Sequence, residues 1–360
     1  MTDNIFFTSF GLMVLDEIRF PNRKPLKNVL GGSGAYATLG ARLFLPSPQS
    51  CSIVWPVNIG YDFPEHITEL LRSWDTQLVV NRAVDQPSTR GLLEYEDDTF
   101  GRKNRDLTDV HPAKTFKYTT PILAQENEIG NSSPVILSSK IYHFLATPED
   151  IKNYTSCILT TRKQFGIKDR PLIVWEPAPL ACNPGNLQPC LEAARLVDVF
   201  SPNHIELARL FPGSSAFPDK REIERLGMKV LESGVGPDGR GVVVIRAGEN
   251  GCLVQSRVLA PRWIPPFYGA ATGEGQACRV VDPTGAGNAF LGGYSVGWIR
   301  TGGDVVQAAC YGSVAASFAL EQVGMPVLSG YGDGELWNGV RVSARLLEYR
   351  ARWGLEMGGL

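Results

Sequence analysis

The sequence has little that would direct the chain to nucleic acid or to a membrane. Its 35 basic and 37 acidic residues leave a net charge of −2, and no run of like charge exceeds a few residues. This balance gives no electrostatic reason to expect nucleic acid or an anionic membrane as a partner. The most apolar helical stretch, residues 305–320, is shorter than the roughly 20 apolar residues that span a bilayer. We therefore expect it to be a buried helix.

The cysteines form no pattern, and the N-terminus lacks the features of a secretory signal. The seven cysteines are scattered, odd in number and include no C-x-x-C pair. Neither a disulfide framework nor a zinc site is expected, and reduced thiols fit better. The first residues have neither the basic region nor the apolar stretch of a signal peptide. These observations favour a cytoplasmic location.

What is present is an ordinary globular composition with an alternating pattern of strands and helices. Apolar residues make up 43% of the 360, and charged residues make up 20%, which allows one large α/β domain or two small ones. Strand-like runs such as Ile5–Val14 and Gly241–Arg246 alternate with helix-like runs such as Gly285–Arg300. This alternation predicts a mostly parallel sheet covered by helices on both faces. Ligands of such sheets bind beyond the carboxyl ends of the strands.

Two polar segments interrupt this pattern, at residues 16–30 and at about 85–105. Both are too rich in charged and turn-forming residues to bury much apolar area. They are either surface loops or strands of a small lid over the ligand site, and the residues alone leave both interpretations open.

The most informative stretch is Val281–Phe290, which reads VDPTGAGNAF and precedes a helix-like segment. Glycines in a turn let backbone N–H groups converge, and a helix N-terminus adds partial positive charge. Together they form an anion site, most often for phosphate. The turn Gly285, Ala286 and Gly287 is therefore a candidate phosphate site. Tight packing of a helix on a strand is the structural alternative.

This stretch resembles the C-terminal signature of the ribokinase/pfkB carbohydrate kinase family. Three further segments match that family in order: residues 31–37 (GGSGAYA), residues 202–206 (PNHIE) and residues 246–251 (RAGENG). The resemblance implies a ribokinase-like α/β fold, a doubly wound and mostly parallel sheet in a single domain over residues 1–360, with a small β lid. It also implies an ATP- and Mg²⁺-dependent transfer of phosphate to a hydroxymethyl group on a sugar-like or nucleoside-like molecule.

The same resemblance implies a role for individual residues. It places substrate binding on Asp16, Gly31, Gly32 and Tyr36, and the transferring phosphoryl group on Gly285, Ala286 and Gly287, with Asn288 at the position of the catalytic base. It places nucleotide contacts on Asn203, Glu206, Arg246, Gly248, Gly251, Asp282 and Thr284, with Mg²⁺ held by Glu206 through water.

Several of these residues have a structural alternative. Asn203 stands where it would cap a helix, with Glu206 completing a capping box. Gly248 and Gly251 would suit a hairpin turn between strands. His143 is more typical of a core residue than of a catalyst, and Glu176, at the end of a strand, is a weaker candidate on the ligand side.

The sequence departs from the family pattern where the chemistry is most sensitive. Asn288 replaces the Asp that acts as general base, and an amide can accept a hydrogen bond but cannot hold the proton. Tyr36 replaces the sugar-binding Asn of ribokinase, and Arg246 replaces the usual Thr. A divergent fungal branch, the maintenance-of-killer proteins, shares the Asn ending and the following residues 290–293 (FLGG). Asn288 therefore looks like a feature of that branch.

Two functions follow from these departures. The first is a kinase for a small molecule, in which Asn288 orients the hydroxyl group and another carboxylate, with Asp282 as one candidate, takes the proton. The second is a pseudokinase that binds nucleotide or a polyol as a regulatory or interaction module. A homodimer formed through the lid is left open. A NAD-dependent dehydrogenase is disfavoured, because residues 31–34 lack the G-x-G-x-x-G spacing.

Overall fold

A computed structural model describes residues 5–95, 115–122, 134–269 and 279–355. The strands in these residues are β1 (Phe7–Ser9), β2 (Val14–Phe20), β3 (Arg23–Gly31), β4 (Ile53–Ile59), β5 (Gln77–Arg82), β6 (Arg90–Glu94), β7 (Thr115–Tyr118), β8 (Ile141–Ala146), β9 (Leu172–Pro177), β10 (Val199–Phe200), β11 (Val242–Arg246), β12 (Cys252–Ser256), β13 (Arg262–Ile264), β14 (Leu328–Ser329) and β15 (Leu336–Trp337). The helices are α1 (Ser33–Arg42), α2 (Glu65–Ser73), α3 (Pro134–Leu137), α4 (Pro148–Gln164), α5 (Leu187–Ala194), α6 (His204–Leu210), α7 (Lys220–Ser233), α8 (Ala286–Arg300), α9 (Val305–Leu320) and α10 (Val342–Trp353).

The main sheet has nine strands in the order β13-β12-β11-β10-β9-β8-β1-β4-β5. The strands from β11 to β5 pair in parallel, and β12 and β13 extend that edge antiparallel. Every residue of β9 is buried, as expected of a parallel strand covered on both faces. The α/β fold with a mostly parallel sheet is therefore confirmed. Its topology brings the carboxyl ends of β1, β8, β9, β10 and β11 to one edge.

Helices cover the two faces of this sheet and form two separate apolar cores. One core involves α1, α2, α8, α9 and α10, and the other involves α4, α5, α6 and α7. Helix α8 packs closely on α1 because both carry glycine at the crossing: a Cβ at Gly292 would overlap the Ala37 carbonyl, and one at Gly40 would overlap the Ala289 backbone. This close approach fixes where the turn before α8 lies relative to the sheet.

The run Ile5–Val14 is not one strand, as the sequence pattern predicted. Strand β1 ends at Ser9, and β2 begins at Val14 in a second sheet of order β3-β2-β6-β7. Gly11 lies in the connection, where a Cβ would overlap the backbone of Gly34. The chain leaves the main sheet there because it passes directly over the start of α1.

The second sheet contains the polar segment 16–30, so strands rather than loops describe that segment. Part of the second predicted lid segment forms β6, and residues 96–105 lie outside the described residues. The predicted small sheet beside the main one is present. Helix α9 coincides with the expected buried helix. No helix in the described parts of the chain combines the length and apolarity needed to cross a bilayer.

Candidate active site

The turn before α8 has the geometry of an anion site. Gly285 adopts φ +75°, and a Cβ there would overlap the ring of Tyr36. The Asp282 carboxylate accepts the Thr284 N–H at 2.9 Å and so shapes the approach to the turn. Among the described residues, the N–H groups of Gly287 and Asn288 donate to no acceptor. These two donors lie in the first turn of a 15-residue helix, where the helix dipole favours a negative charge.

A buried carboxylate, Glu176, lies beside this turn near the carboxyl end of β9. Its Oε1 is 2.7 Å from Nη1 of Arg246, and its Oε2 accepts a hydrogen bond from Nδ2 of Asn288. His143 on β8 places Nε2 at 3.6 Å from the same Oε2, and its Nδ1 is 3.0 Å from Oγ of Ser9. Strands β1, β8, β9 and β11 and helix α8 thus each contribute one side chain to a single polar cluster.

Arg246 connects this cluster to the start of α6. Its Nη2 donates to the Ser201 carbonyl at 2.9 Å and lies 3.6 Å from Oε2 of Glu206. A Cβ at Gly287 would overlap Nη1 of Arg246, so the guanidinium lies directly against the candidate anion turn. A cation in this position can pair with phosphate.

The capping interpretation of residues 203–206 is correct in detail. The Asn203 side chain accepts the Glu206 N–H at 2.8 Å, and the Glu206 carboxylate accepts the Asn203 N–H at 2.8 Å. Both contacts of Glu206, to Asn203 and to Arg246, use Oε2. Its Oε1 takes part in no hydrogen bond or ion pair among the described residues.

The two glutamates share one arginine and respond to it differently. Burial would raise the pKa of Glu176, but the Arg246 charge and the nearby His143 outweigh it, so the pKa lies below its usual value. Burial raises the pKa of Glu206 to about 7, because Arg246 compensates only in part and Glu176 adds repulsion. The distances explain the difference, since Arg246 is nearly 1 Å closer to Glu176 (2.7 against 3.6 Å).

A second carboxyl group, Asp16, lies on β2 of the small sheet. It is 5% exposed, and its Oδ1 has no hydrogen-bond partner among the described residues. Burial, together with a smaller effect of the negative charge of Asp282, raises the pKa of Asp16 to about 7. A Cβ at Gly31 would overlap Oδ2 of Asp16. An unpaired buried oxygen of this kind costs free energy unless a ligand satisfies it.

Three tyrosines lie close to Asp16, and two of them, Tyr36 and Tyr95, also lie close to Asp282. Tyr36 is 2% exposed, and its hydroxyl reaches the Gly324 carbonyl at 3.5 Å. Burial raises the pKa of Tyr95, which directly follows β6 of the small sheet, and Asp282 and Asp16 also raise it. Burial and Asp16 raise the pKa of Tyr118. The second sheet therefore approaches Asp282, just before the turn that precedes α8, through Asp16 and Tyr95.

The structure brings most of the predicted site residues to one edge of the sheet, and Gly248 and Gly251 lie slightly apart. Those two glycines form a turn between β11 and β12, with φ +56° and +81°, so their hairpin role is confirmed. Gly32 precedes α1 with φ +94°. From the sequence, Glu176 was only a weak functional candidate and His143 was interpreted as a core residue. The available signal was that both lie on strand-like runs that follow each other along the chain, with Glu176 near the carboxyl end of β9 and His143 in the middle of β8.

Comparison with known proteins agrees with this geometry. The family described as "pfkB family carbohydrate kinase" matches this chain over residues 11–326. An uncharacterized protein of Schizosaccharomyces pombe is 32% identical over 361 residues, covering 96% of this chain and 93% of its own length. Protein MAK32 of Saccharomyces cerevisiae is 28% identical over 351 residues, covering 96% and 92%. An inositol 3-kinase of Arabidopsis thaliana matches only 84 residues, at 37% identity, covering 23% of this chain and 21% of its own length.

Solved structures share the fold at low sequence identity. A ribokinase from Giardia lamblia superposes with a TM-score of 0.67 at 14% identity, covering 97% of this chain and 99% of its own. A putative ribokinase from E. coli, solved with ATP and Mg²⁺, gives 0.63 at 15% identity, covering 98% and 99%. The match across most of the length, together with the glycine turn and the flanking carboxylates, establishes that the chain belongs to the pfkB family of carbohydrate kinases.

Proposed function

We propose that the protein transfers the terminal phosphoryl group of ATP to a hydroxymethyl group of a small polyol, such as a sugar, a nucleoside or a cyclitol. One observation carries this proposal. Two backbone N–H groups that have no acceptor among the described residues lie beside the Arg246 guanidinium at the turn before α8, and the buried Asp16, whose Oδ1 has no hydrogen-bond partner among those residues, lies close enough to Asp282 for the two carboxyl groups to repel each other. A candidate phosphate-binding turn and a candidate hydroxyl-binding carboxyl therefore both lie near Asp282.

The phosphate side uses electrostatics that need little rearrangement. In phosphoryl transfer the charge spreads over the oxygens of the transferring group, and fixed donors at that place stabilise it. The N–H groups of Gly287 and Asn288 and the guanidinium of Arg246 supply such donors. Gly248 and Gly251, at the end of β11, remain the candidates for contact with the nucleotide.

The residues present fit a Mg²⁺ ion held through water. Mg²⁺ prefers oxygen ligands, keeps several waters and uses few carboxylates besides the substrate phosphates. Glu206 offers Oε1, which is not engaged by Asn203 or Arg246. Among the described residues there is no group of three or more potential ligands that would form a closed cage. The metal would neutralise phosphate charge, and Glu206 would orient one of its waters.

The substrate side points to a molecule with neighbouring hydroxyl groups. Asp16 has an unpaired oxygen and a pKa of about 7, so it can accept from hydroxyls as a carboxylate or donate as an acid at neutral pH. A side chain at position 31 would overlap the Asp16 carboxyl, so glycine is needed there, and the Tyr36 ring packs against Gly285 of the turn. The partial match to an inositol kinase makes a cyclitol a rational member of any substrate panel.

A second candidate function rests on Asn288. Because an amide cannot take a proton, the same pocket can serve a pseudokinase that binds nucleotide and polyol without converting them. The net charge of −2 favours small-molecule ligands over nucleic acid. A cytoplasmic location and a homodimer through the small sheet remain hypotheses, and sedimentation velocity tests the dimer.

The experiment is a phosphotransfer assay with radiolabelled ATP and Mg²⁺ over sugars, nucleosides and cyclitols, combined with thermal-shift binding. We expect one class of polyol to raise the melting temperature and to become labelled, and Asp16→Asn to abolish both effects. Gly166→Ala, which lies away from the pocket, is the control. Binding of ATP and a polyol without labelling would establish the pseudokinase instead, and the absence of any binding would refute both.

A further inference from the structure

Asn288 has a defined orientation, and this determines what it can do. A carboxylate only accepts hydrogen bonds, so the amide nitrogen of Asn288 must face Glu176. The amide oxygen is then directed away from Glu176 and is in no hydrogen bond among the described residues. Asn288 can therefore hold a substrate hydroxyl as its acceptor, but the proton of that hydroxyl needs another destination.

Glu176 is the carboxylate in direct contact with this amide. It is almost fully buried, and the side chains that face it come from four elements: His143 on β8, Arg246 on β11, Glu206 on α6 and Asn288 on α8. Its Oε2 accepts a hydrogen bond from the Asn288 amide. A hydroxyl group held by that amide would therefore lie close enough to Oε2 for one water molecule to carry its proton there.

We propose that Glu176 supplies the carboxylate that position 288 lacks, receiving the proton of the hydroxyl that Asn288 positions. This inference rests on the proposed phosphotransfer. The hydroxyl oxygen bonds to the terminal phosphorus of ATP, and the bond from that phosphorus to the bridging oxygen breaks, so that ADP leaves with the electron pair. The proton passes through one water to Oε2 of Glu176 and returns to solvent when the product departs.

Arg246 makes this role dependent on the nucleotide. Its Nη1 lies 2.7 Å from Glu176 and also against Gly287, where the phosphoryl group would bind. A phosphate there competes with Glu176 for the same guanidinium, and a weaker hold by Arg246 makes Glu176 a stronger base. The free protein keeps Glu176 as a paired anion, and binding of the phosphate donor releases its basicity.

The test compares kcat for Glu176→Gln, Asn288→Asp and the double variant. Glu176→Gln should lower kcat about 10²–10⁴-fold, the usual contribution of a general base. The double variant should recover at least about tenfold of that loss, because it restores a carboxylate at position 288. Glu335→Gln, which alters a buried carboxylate paired with Arg42, is the matched control for losing a buried ion pair. A Glu176→Gln variant with near wild-type kcat, or a double variant as slow as Glu176→Gln, would overturn the inference.

Two further measurements keep the test decisive. If Glu176→Gln does not fold, Glu176→Asp retains the charge near Arg246 and withdraws the carboxylate, so kcat should fall while ATP binding persists. Denaturant unfolding of Asn288→Asp should show lower stability at high pH than the double variant, because two carboxylates would then touch. If the unfolding data show this repulsion between the two carboxylates but neither wild type nor any variant transfers phosphate, the proposed function fails and the inference fails with it. If wild type and Glu176→Gln turn over with nearly the same kcat, only the inference fails.

Discussion

Replacing Asp16 by Asn should change stability in a way that depends on pH. The folded pKa of about 7 lies above the unfolded value of 3.8, so the folded state resists ionisation of this carboxyl. The stability that depends on protonated Asp16 is therefore fully present below the unfolded pKa and is lost as the pH rises through the folded pKa of about 7. At 1.36 kcal/mol for each pKa unit, the ionised group costs the fold about 4 kcal/mol at pH 8 and about 2 kcal/mol at pH 5.5.

Asn cannot ionise, so Asp16→Asn removes that cost but introduces an amide nitrogen that needs a partner, at about 1–3 kcal/mol. The net change at one pH is therefore small. The amide contributes equally at every pH. The free energy of unfolding of the variant relative to wild type should therefore be about 2 kcal/mol higher at pH 8 than at pH 5.5. Glu206 titrates equally in both proteins and cancels.

The assay is urea unfolding of wild type and variant at pH 5.5 and pH 8. Asp62→Asn is the control. Asp62 pairs with Arg90, which lies on the strand beside β2, and although burial would raise its pKa, the hydrogen bonds that it accepts from Ser88 and Arg90 outweigh burial and lower the pKa. It should show no such rise between the two pH values. If the stability difference for Asp16→Asn is the same at both pH values, Asp16 is not a desolvated carboxyl, and its assignment to the substrate fails.

Two further predictions concern the anion turn. Gly285→Ala should destabilise the protein by more than about 2 kcal/mol, because the left-handed backbone costs about 1–2 kcal/mol and the new Cβ would overlap the Tyr36 ring. Gly166→Ala, at φ +76° with open space around it, should show the backbone cost alone. Equal losses of stability for the two variants in thermal unfolding would contradict the packing argument. Arg246→Met should lower the free energy of unfolding by about 3–5 kcal/mol, because it leaves Glu176 buried without its nearest cation. Adding Glu176→Gln to the same chain should restore part of that loss. An Arg246→Met variant as stable as wild type would mean that the ion pair does not form.

The sequence was sufficient for the fold class and for the glycine turn before α8 because both depend on local signals. Alternating strand-like and helix-like runs define a parallel sheet, and VDPTGAGNAF defines a glycine turn before a helix. The segment Ile5–Val14 was misassigned because its apolar run continues past the point where Gly11 must pass close to α1. That constraint comes from tertiary packing and leaves no mark in the periodicity.

The carboxylate cluster could not be assembled from the sequence. Glu176 is 112 residues from Asn288 and 70 from Arg246, and only the order of strands β8, β9, β10 and β11 brings them together. Arg246 was recognised as unusual, but its partners were not. The capping role of Asn203 and Glu206 was foreseen because it depends on a spacing of three residues.

The most direct test of this account is a crystal structure with a non-hydrolysable ATP analogue. We predict that the terminal phosphate lies within hydrogen-bond distance of the N–H groups of Gly287 and Asn288 and of the Arg246 guanidinium. An analogue bound elsewhere, or one that leaves these two N–H groups and Arg246 without a phosphate contact, would contradict the central claim.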